Sequence, residues 1–426
     1  MPPQDYLPRV VDSELDELLP GVAAIAIEGA KAVGKTATAI RRGRTIYRLD
    51  VGAQLEIAQA DPERLVTGER PVLIDEWQRL PETWDAVRRA VDADPSPGQF
   101  LLTGSATPSA RPAHSGAGRI VTVRMRPMSL VERGVARPSV SLGGLLAGSR
   151  GPIAGTTDVN LELYAQEIVA SGFPGIRPLA DRSLRSQLDG YVDRIVEHDV
   201  PELGYAIRNP AAMKRWLTAY AASISTTASL ESIRDAATAG ENRKPAKQTT
   251  QPYRDVLERL WILDPVPAWL PTRNRLSRLA APPKHQLVDP ALSARLLGLG
   301  VGALLDGREV AAASPRDGSF LGRLFESLVA LSVRIYAQAA EARVMHLRTW
   351  AGEREVDLII ERDDQRVLAM EAKLGATVSD RDVRHLRWLR DEIGDDLLDA
   401  VVITTGPEAY RRSDGIAVVP AALLGP

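Results

Sequence analysis

Cysteine is absent from this chain of 426 residues. Its absence excludes disulfide bonds and zinc sites built on thiolates, and it fits a reducing cellular compartment. The five histidines are scattered without the spacing of metal ligands. No apolar run approaches the roughly 20 residues that a transmembrane helix needs, and the first residues lack the basic and apolar regions of a secretory signal. We therefore expect a cytoplasmic protein without a membrane partner.

Net charge is also small, at −2, but it is unevenly distributed. Residues 208–284 contain 13 lysines and arginines against 6 acidic residues, so the rest of the chain is acidic. A basic segment of this kind indicates either nucleic-acid binding or a solvated surface, and composition alone favours neither. The length predicts two or three domains. The hydrophobic fraction of 44% and the charged fraction of 25% are typical of a soluble globular protein.

A glycine-rich loop follows the first predicted strand, residues 22–27. It matches the phosphate-binding pattern G-x-x-x-x-G-K-[ST], and a predicted helix continues from it. The backbone N–H groups around Gly29 and Gly34 would wrap a phosphate, Lys35 would reach the β- and γ-phosphates, and Thr36 would hold Mg²⁺. The alternative is a chance glycine-rich turn after a core strand. The predicted nucleotide-binding residues are Gly29, Ala30, Lys31, Ala32, Val33, Gly34, Lys35 and Thr36.

Acidic and polar residues end the next apolar runs. The run 70–77 ends in Asp75 and Glu76, which fit a carboxylate that holds Mg²⁺ and a carboxylate that orients or deprotonates the attacking water. The run 99–105 carries Thr103, which would sense the γ-phosphate. Considered alone, Asp75 and Glu76 could equally be solvated acids at a strand end, but beside a phosphate loop they predict a hydrolytic site.

The N-terminal part is predicted to be an α/β domain with a five-stranded parallel sheet. The strands are residues 22–27, 45–50, 70–77, 99–105 and 119–124, and the segments between them fit right-handed helical crossovers. Arg119 opens the last strand. It is a candidate arginine finger, in its own subunit or a neighbour's, or a surface arginine.

Several short motifs recur in a specific order along almost the whole chain. They are GAKAVGKT at 29–36, LIDEWQ at 73–78, LLTGS at 101–105, GRI at 118–120, SGFPG at 171–175, DPAL at 289–292, EVD at 355–357 and EAK at 371–373. In this order they resemble a large prokaryotic family of AAA-superfamily ATPases, in which a P-loop domain precedes a C-terminal region of unknown function. The resemblance implies ATP as ligand, ATP hydrolysis and a cytoplasmic location, but no substrate. The chain departs from the family's usual Arg-Asp pair in the helix after SGFPG, where residues 191–199 read YVDRIVEHD.

The middle of the chain is predicted to be helical, with a winged-helix module near residues 230–269. A short helix, a basic polar turn and a second helix resemble a winged helix-turn-helix, which reads DNA with its second helix. The alternative is the same fold used only for packing. The predicted DNA-contacting residues are Lys244, Lys247, Gln248, Thr249 and Arg254.

The C-terminal segment has the element order α-β-β-β-α-β, which resembles the PD-(D/E)xK, or restriction-endonuclease-like, fold. Asp357 lies in the second strand, and alternation puts Glu371 and Lys373 on one face of the third. Glu326 could approach from the preceding helix. The three carboxylates would hold Mg²⁺ beside a phosphodiester, and Lys373 would position or activate water. The alternative is strands that end in solvated charges, or a nuclease fold retained as a binding module.

The predicted domains are 1–137, 138–160 as an exposed linker, 161–310 and 311–426. Three functions remain open. The first is a Mg²⁺-dependent ATPase whose nucleotide state controls DNA binding or processing. The second is a switch for a protein partner with an inactive nuclease-like domain, and the third is a nuclease gated by its ATPase. A homo-oligomer is a further expectation, because AAA relatives often form rings.

Overall fold

The structure, a computed structural model, describes residues 6–105, 117–148, 150–205, 209–238, 247–271, 281–306, 320–349 and 352–426. Among these residues no helix is both long and apolar enough to span a membrane.

The described strands form two large sheets and one small one. The first sheet has the order β2-β3-β4-β1-β5, the second β7-β13-β14-β12-β11-β10-β9-β8, and the third pairs β15 with β6. The strand bounds are β1 Ala24–Glu28, β2 Thr45–Arg48, β3 Val72–Asp75, β4 Phe100–Gly104, β5 Ile120–Arg124, β6 Val140–Ser141, β7 Gly155–Thr156, β8 Ala268–Trp269, β9 Arg343–Arg348, β10 Glu355–Glu361, β11 Val367–Lys373, β12 Leu397–Thr404, β13 Glu408–Arg411, β14 Ala417–Pro420 and β15 Leu424–Gly425.

Helices cover the sheets and build the middle of the chain. A π-helical turn, Ile195–Asp199, directly follows the helix Asp181–Arg194. The helix bounds are α1 Val10–Leu18, α2 Lys35–Ile40, α3 Gly52–Ala60, α4 Glu82–Ala93, α5 Leu142–Leu146, α6 Leu161–Ala170, α7 Asp181–Arg194, α8 Val200–Glu202, α9 Pro210–Ala222, α10 Leu230–Ala237, α11 Lys247–Arg259, α12 Pro290–Leu296, α13 Val301–Leu305, α14 Phe320–Ala339 and α15 Arg384–Ile393.

The first sheet confirms the predicted five-stranded parallel arrangement. Ile25 and Ile27 pack into one core cluster while Ala24 and Ala26 pack into another, so both faces of β1 are covered. Continuous apolar strands are typical of parallel sheets that carry helices on both faces. The carboxyl ends of β1, β3 and β4 meet at one edge, and α2 begins there.

The segment predicted as an exposed linker is packed against the C-terminal part instead. Val140 pairs with Leu424, and β7 adds an antiparallel edge to β13. The leucines of α5, including Leu142 and Leu146, are buried in the main core. The physical reason is the apolar content of α5, which the surrounding glycine, proline and serine obscured in the sequence.

Within the middle part, helices α9, α10 and α11 are followed by an antiparallel pair. Its bridges join Leu263 to Leu287 and Val266 to Lys284. This order matches the one that the winged-helix prediction assumes, but the module itself stays a prediction. Lys244 lies outside the described residues. Lys247, Gln248 and Thr249 lie in α11, and the structure describes only their backbone. Arg254 is ion-paired with Glu258 at 2.7 Å.

The C-terminal part contains a mixed sheet between α14 and α15. Its elements follow the predicted order of helix, three strands, helix and strand, while the likeness to PD-(D/E)xK nucleases stays a prediction. Helix α14 is buried along most of its length and contacts α1, α6 and β11. One continuous hydrophobic core therefore joins the first sheet, the middle helices and α14.

Candidate functional site

The phosphate loop connects β1 to α2 in a tight, partly left-handed conformation. Gly29 has φ +155°, and a Cβ atom there would lie 2.1 Å from the backbone oxygen of Met125. Gly34 has φ +105°, and Ala32 has φ +66°. Position 29 requires glycine because the chain leaving β5 passes directly against it. The loop is thus held against the sheet edge with its N–H groups grouped at the start of α2.

Lys35 lies at the centre of this loop. Its Nζ donates hydrogen bonds of 2.8 Å to the backbone oxygens of Gly29 and Ala30, and the residue is buried. Burial lowers the pKa of Lys35 to about 8, although Glu76 and Asp75 act in the opposite direction. A phosphate oxygen in the loop would compete with the two carbonyls for this ammonium.

Three predicted residues meet at one carboxylate oxygen. The Thr36 hydroxyl donates a 2.7 Å hydrogen bond to Oδ1 of Asp75, and the Thr103 hydroxyl donates to the same atom. Asp75 is 2% exposed. A hydroxyl and a carboxylate beside a phosphate loop form the hard oxygen donor set that Mg²⁺ prefers, so Thr36 and Asp75 fit this ion.

Glu76 is fixed next to this group. It adopts φ +57°, and its N–H donates to the Thr103 hydroxyl at 3.3 Å. Its Oε2 accepts hydrogen bonds from Gln78 and, at 3.2 Å, from Ser105. These two donors hold the carboxylate at the end of β3, where it can bind a water molecule facing the loop. Gln78 belongs to the LIDEWQ motif and Ser105 to the LLTGS motif, although neither was predicted as a site residue.

Arg119 lies at the other end of the sheet. Ile120, its neighbour, pairs with Ala24 at the start of β1, whereas the phosphate loop follows Glu28 at the end of that strand. The Arg119 guanidinium is exposed and ion-paired with Asp92 at 2.7 Å. The structure therefore does not bring Arg119 to its own subunit's loop, because parallel strands put their beginnings at the opposite edge. A role in a neighbouring copy stays a prediction.

Comparison with known proteins fits this geometry. Residues 22–133 match the family model of an AAA domain. Residues 161–302 and 321–424 match models of two domains of unknown function, DUF8612 and DUF4143. The first region is thus an AAA-type P-loop domain, which supports nucleotide binding and ATPase activity in general. The matches to the other two regions assign them no activity.

Two curated proteins resemble nearly the whole chain. They are the uncharacterised proteins Mb2031c of Mycobacterium bovis and Rv2008c of Mycobacterium tuberculosis, each 25% identical, with 97% of this chain and 83% of the relative covered. Among solved structures, the Walker-type ATPase PABY2304 of Pyrococcus abyssi is similar with 16% identity and a TM-score of 0.40, covering 69% of this chain and 96% of that one. The ORC2 protein of Aeropyrum pernix, solved with ADPNP and ADP, is similar with 13% identity and a TM-score of 0.29, covering 69% and 94%.

Arg9, from the segment before the AAA domain, supports the outside of the phosphate loop. Its Nη1 donates to the backbone oxygen of Val33 at 2.7 Å, and its Nη2 donates to that of Arg126 at 2.7 Å. Its Nε pairs with Glu132 at 2.9 Å, and both side chains are almost fully buried. Arg9 joins the loop to the chain that leaves β5. No motif marked Arg9, which lies 20 residues before the pattern.

The end of α7 also contacts the phosphate loop. Lys31 pairs with Asp199 of the π-helical turn at 2.6 Å, and the Tyr191 hydroxyl donates to the Lys31 backbone oxygen at 3.1 Å. Tyr191 packs against Phe173 of the SGFPG motif with ring centroids 4.8 Å apart. The stretch where the sequence departs from the family pattern therefore supplies two direct contacts to the loop.

A buried charge cluster joins β5 to α14. Asp264 pairs with Arg124 at 3.0 Å, with Arg126 at 2.8 Å and with Arg334 of α14 at 2.6 Å. Burial acts to raise the pKa of Asp264, but the three guanidiniums outweigh it and hold the pKa well below its usual range. Since Met125 backs Gly29, this cluster lies directly behind the phosphate loop.

The predicted C-terminal carboxylates also converge. Asp357 accepts a hydrogen bond from the Ala372 N–H at 3.0 Å. Its other oxygen and an oxygen of Glu326 accept hydrogen bonds from the same ammonium group, their shared partner. Lys373 Nζ lies 3.2 Å from Glu371. The shared partner is Lys284, which no sequence pattern had marked. Among the described residues, no group of three or more acidic or histidine side chains is arranged to hold a metal ion.

Lys284 changes the electrostatics of this carboxylate cluster, which we define as Glu326, Glu355, Asp357 and Glu371. Burial raises the pKa of Glu326 to about 8, and the negative Asp357 acts in the same direction. Burial and Asp357 likewise raise the pKa of Glu371 well above its usual range. Burial acts to raise the pKa of Asp357 as well, but Lys284 and Lys373 hold it below its usual range. Lys284 acts against both increases, because its positive charge lowers the pKa of Glu326 and of Glu371.

Proposed function

We propose that this protein hydrolyses ATP in a Mg²⁺-dependent reaction at the loop 29–36. The observation that supports this proposal is the meeting of the Thr36 and Thr103 hydroxyls on one oxygen of the buried Asp75, beside Lys35. A chance glycine-rich turn has no reason to face a carboxylate and two hydroxyls in this way.

Each side chain has a defined task in this proposal. The loop N–H groups and the Lys35 ammonium bind the β- and γ-phosphates. Thr36 and Asp75 hold Mg²⁺, which when bound neutralises charge on the phosphate oxygens. Glu76 orients the attacking water and accepts its proton. Thr103 fixes both the Asp75 carboxylate and the Glu76 backbone, so it keeps the two acids in register.

Two substitutions separate binding from chemistry. Lys35→Ala removes the ammonium and is expected to abolish ATP binding and turnover. Glu76→Gln keeps the side-chain shape, so it should retain ATP affinity while turnover falls by about 10²- to 10⁴-fold. Lys214→Ala, an exposed lysine paired with Asp193, is the matched control. Undiminished turnover in Lys35→Ala would overturn the proposed site.

We further propose that nucleotide state is transmitted from the loop to the middle segment. Lys31 and Tyr191 connect the loop to α7 and the π-helical turn, and the Asp264 cluster connects the chain behind the loop to α14. Both connections are short; the Lys31 side chain is 42% exposed, whereas the Asp264 cluster is largely buried. A change in the loop on phosphate binding therefore acts directly on elements outside the AAA domain.

DNA binding is the output that we propose for this transmission. The supporting observation is the basic surplus of residues 208–284. Substituting Arg254 would also break its ion pair with Glu258, so the test uses Lys244 and Lys247. Lys244→Glu with Lys247→Glu should weaken duplex DNA binding and lower its salt slope by about 2. Arg70→Glu, at an exposed arginine outside residues 208–284, should not. DNA affinity that is the same with ATP, with ADP and in the double variant would favour the alternative, a switch for a protein partner.

A further inference from the structure

A fully buried lysine lies inside the C-terminal carboxylate cluster. Lys284 Nζ is 2.9 Å from Glu326, 3.1 Å from Glu355 and 3.1 Å from Asp357. The lysine side chain is 0% exposed. An ammonium within contact distance of three carboxylates supplies the positive charge that a bound cation would otherwise supply to these acids.

The backbone fixes Lys284 at this position. Its N–H and C=O exchange 2.9 Å hydrogen bonds with Val266, so the side chain projects from an antiparallel pair toward α14 and β10. His346, which is almost fully buried, closes the other side and contacts the backbone of Pro282 at 3.1 Å. Three carboxylate oxygens within 3.1 Å of Nζ supply the counter-charge of this buried ammonium.

A metal ion and this ammonium cannot share the same oxygens. Mg²⁺ requires carboxylate oxygens at about 2.0–2.1 Å, and one oxygen each of Glu326, Glu355 and Asp357 is already bound to Nζ. Two like charges in one buried group repel strongly because the local dielectric constant is low. Metal entry therefore requires that Lys284 leave, and full burial gives its side chain no solvent-exposed alternative.

Lys373 differs from Lys284 in this respect. Among the residues that the structure describes, it pairs with Glu371 at 3.2 Å, and its side chain is 36% exposed. A lysine that assists phosphodiester cleavage has to reach the substrate, which Lys373 can do and the buried Lys284 cannot. Lys284 therefore acts on the carboxylates themselves rather than on a substrate.

We propose that Lys284 is the permanent cation of the C-terminal carboxylate cluster and that it closes a latent divalent-cation site. The nuclease-like arrangement of Glu326, Asp357 and Glu371 then stabilises the fold without cleaving DNA. The Lys284 ammonium takes the role of a bound cation, and it is a covalent part of the chain. This inference is independent of ATP hydrolysis, because it concerns residues of the middle and C-terminal parts only.

The test is Mn²⁺ binding to the full chain without nucleotide, measured by electron paramagnetic resonance in a Lys35→Ala background. The parent is expected to show no Mn²⁺ site that depends on Asp357. Adding Lys284→Met should create one site, bound at least tenfold more tightly than any Mn²⁺ in the parent, and Asp357→Asn should remove it. Lys373→Met is the matched control and should create none.

Each outcome decides whether Lys284 excludes a divalent cation from the cluster. Mn²⁺ bound in the presence of Lys284 and lost with Asp357→Asn would overturn the proposal, as would Mn²⁺-dependent nicking of supercoiled DNA that Lys373→Ala abolishes. A folded Lys284→Met protein that binds no Mn²⁺ would overturn it too. If Lys284→Met does not fold, the double variant Lys284→Met with Glu355→Gln replaces it, because it leaves one fewer unpaired carboxylate. The Mn²⁺ measurement on the parent tests the proposal without either variant.

Discussion

Replacing Asp264 by asparagine tests the buried charge cluster behind the phosphate loop. Asp264 is 4% exposed and is the shared partner of Arg124, Arg126 and Arg334. Asparagine keeps the volume but removes the charge, so three poorly solvated guanidiniums lose their counter-ion. Breaking a buried ion pair in this way costs about 3–5 kcal/mol. We expect the free energy of unfolding to fall by that amount in urea, followed by circular dichroism.

The same substitution has a pH signature. Because the folded-state pKa of Asp264 is below that of an unfolded aspartate, about 3.9, its ionisation stabilises the fold above the unfolded value. This contribution is lost as pH falls through the lower folded-state pKa. Wild-type stability should therefore fall more steeply below about pH 4 than that of Asp264→Asn.

The control for this experiment is Asp92→Asn. Asp92 also pairs with an arginine at 2.7 Å, but both side chains are substantially exposed. Surface ion pairs remain hydrated and contribute little, so this variant should unfold like the wild type. If Asp264→Asn and Asp92→Asn have the same small effect, the guanidiniums are solvated or compensated in another way, and our argument for a connection between β5 and α14 fails.

Three further predictions concern the loop. Thr103→Val removes the hydroxyl that donates to Asp75 and accepts from the Glu76 N–H. Turnover should then fall roughly 10- to 100-fold with ATP affinity retained; an unchanged kcat would contradict this role. Asp199→Asn weakens the bond to Lys31, so the difference in amide hydrogen exchange of α7 between the ATP and ADP states should shrink, whereas the exposed Asp193→Asn should leave it intact. ATP affinity should decline as pH rises past about 8, where the buried Lys35 loses its proton. Lys35→Arg stays charged, so a parallel decline in that variant would assign the effect to another group.

The parts of the site that the sequence predicted share one property. Thr36, Asp75 and Thr103 each end a strand or begin a helix at the carboxyl edge of a parallel sheet, and strand order alone brings such positions together. Arg119 precedes its strand and therefore lies at the opposite edge, so the structure does not support an arginine finger in its own subunit. Periodicity and motif spacing thus predicted the local geometry of the nucleotide site.

The residues that the sequence did not reveal act over long separations. Each of these residues has a side-chain partner 42 to 168 residues away, and none lies in a recognisable pattern. They are Arg9, Asp199, Asp264 and Lys284. Short-range periodicity carries no information on which buried charge meets which. Lys284 was also assigned to the middle domain, whereas its side chain completes the C-terminal cluster. The charge balance of that cluster could therefore not be derived from its motifs.

Helix α14 contributes one side chain to each of the two buried charge clusters. Arg334 on this helix pairs with Asp264, and Glu326 on the same helix pairs with Lys284, with opposite polarity. Eight residues separate the two helix positions in the sequence, which corresponds to about 12 Å along the axis. Asp264 and Lys284 themselves belong to one antiparallel pair, because Val266 bridges Lys284 and Asp264 donates its N–H to Gln286. A shift of α14 along its axis would break both ion pairs together. The Arg334–Asp264 and Glu326–Lys284 pairs therefore hold the helix in one axial position.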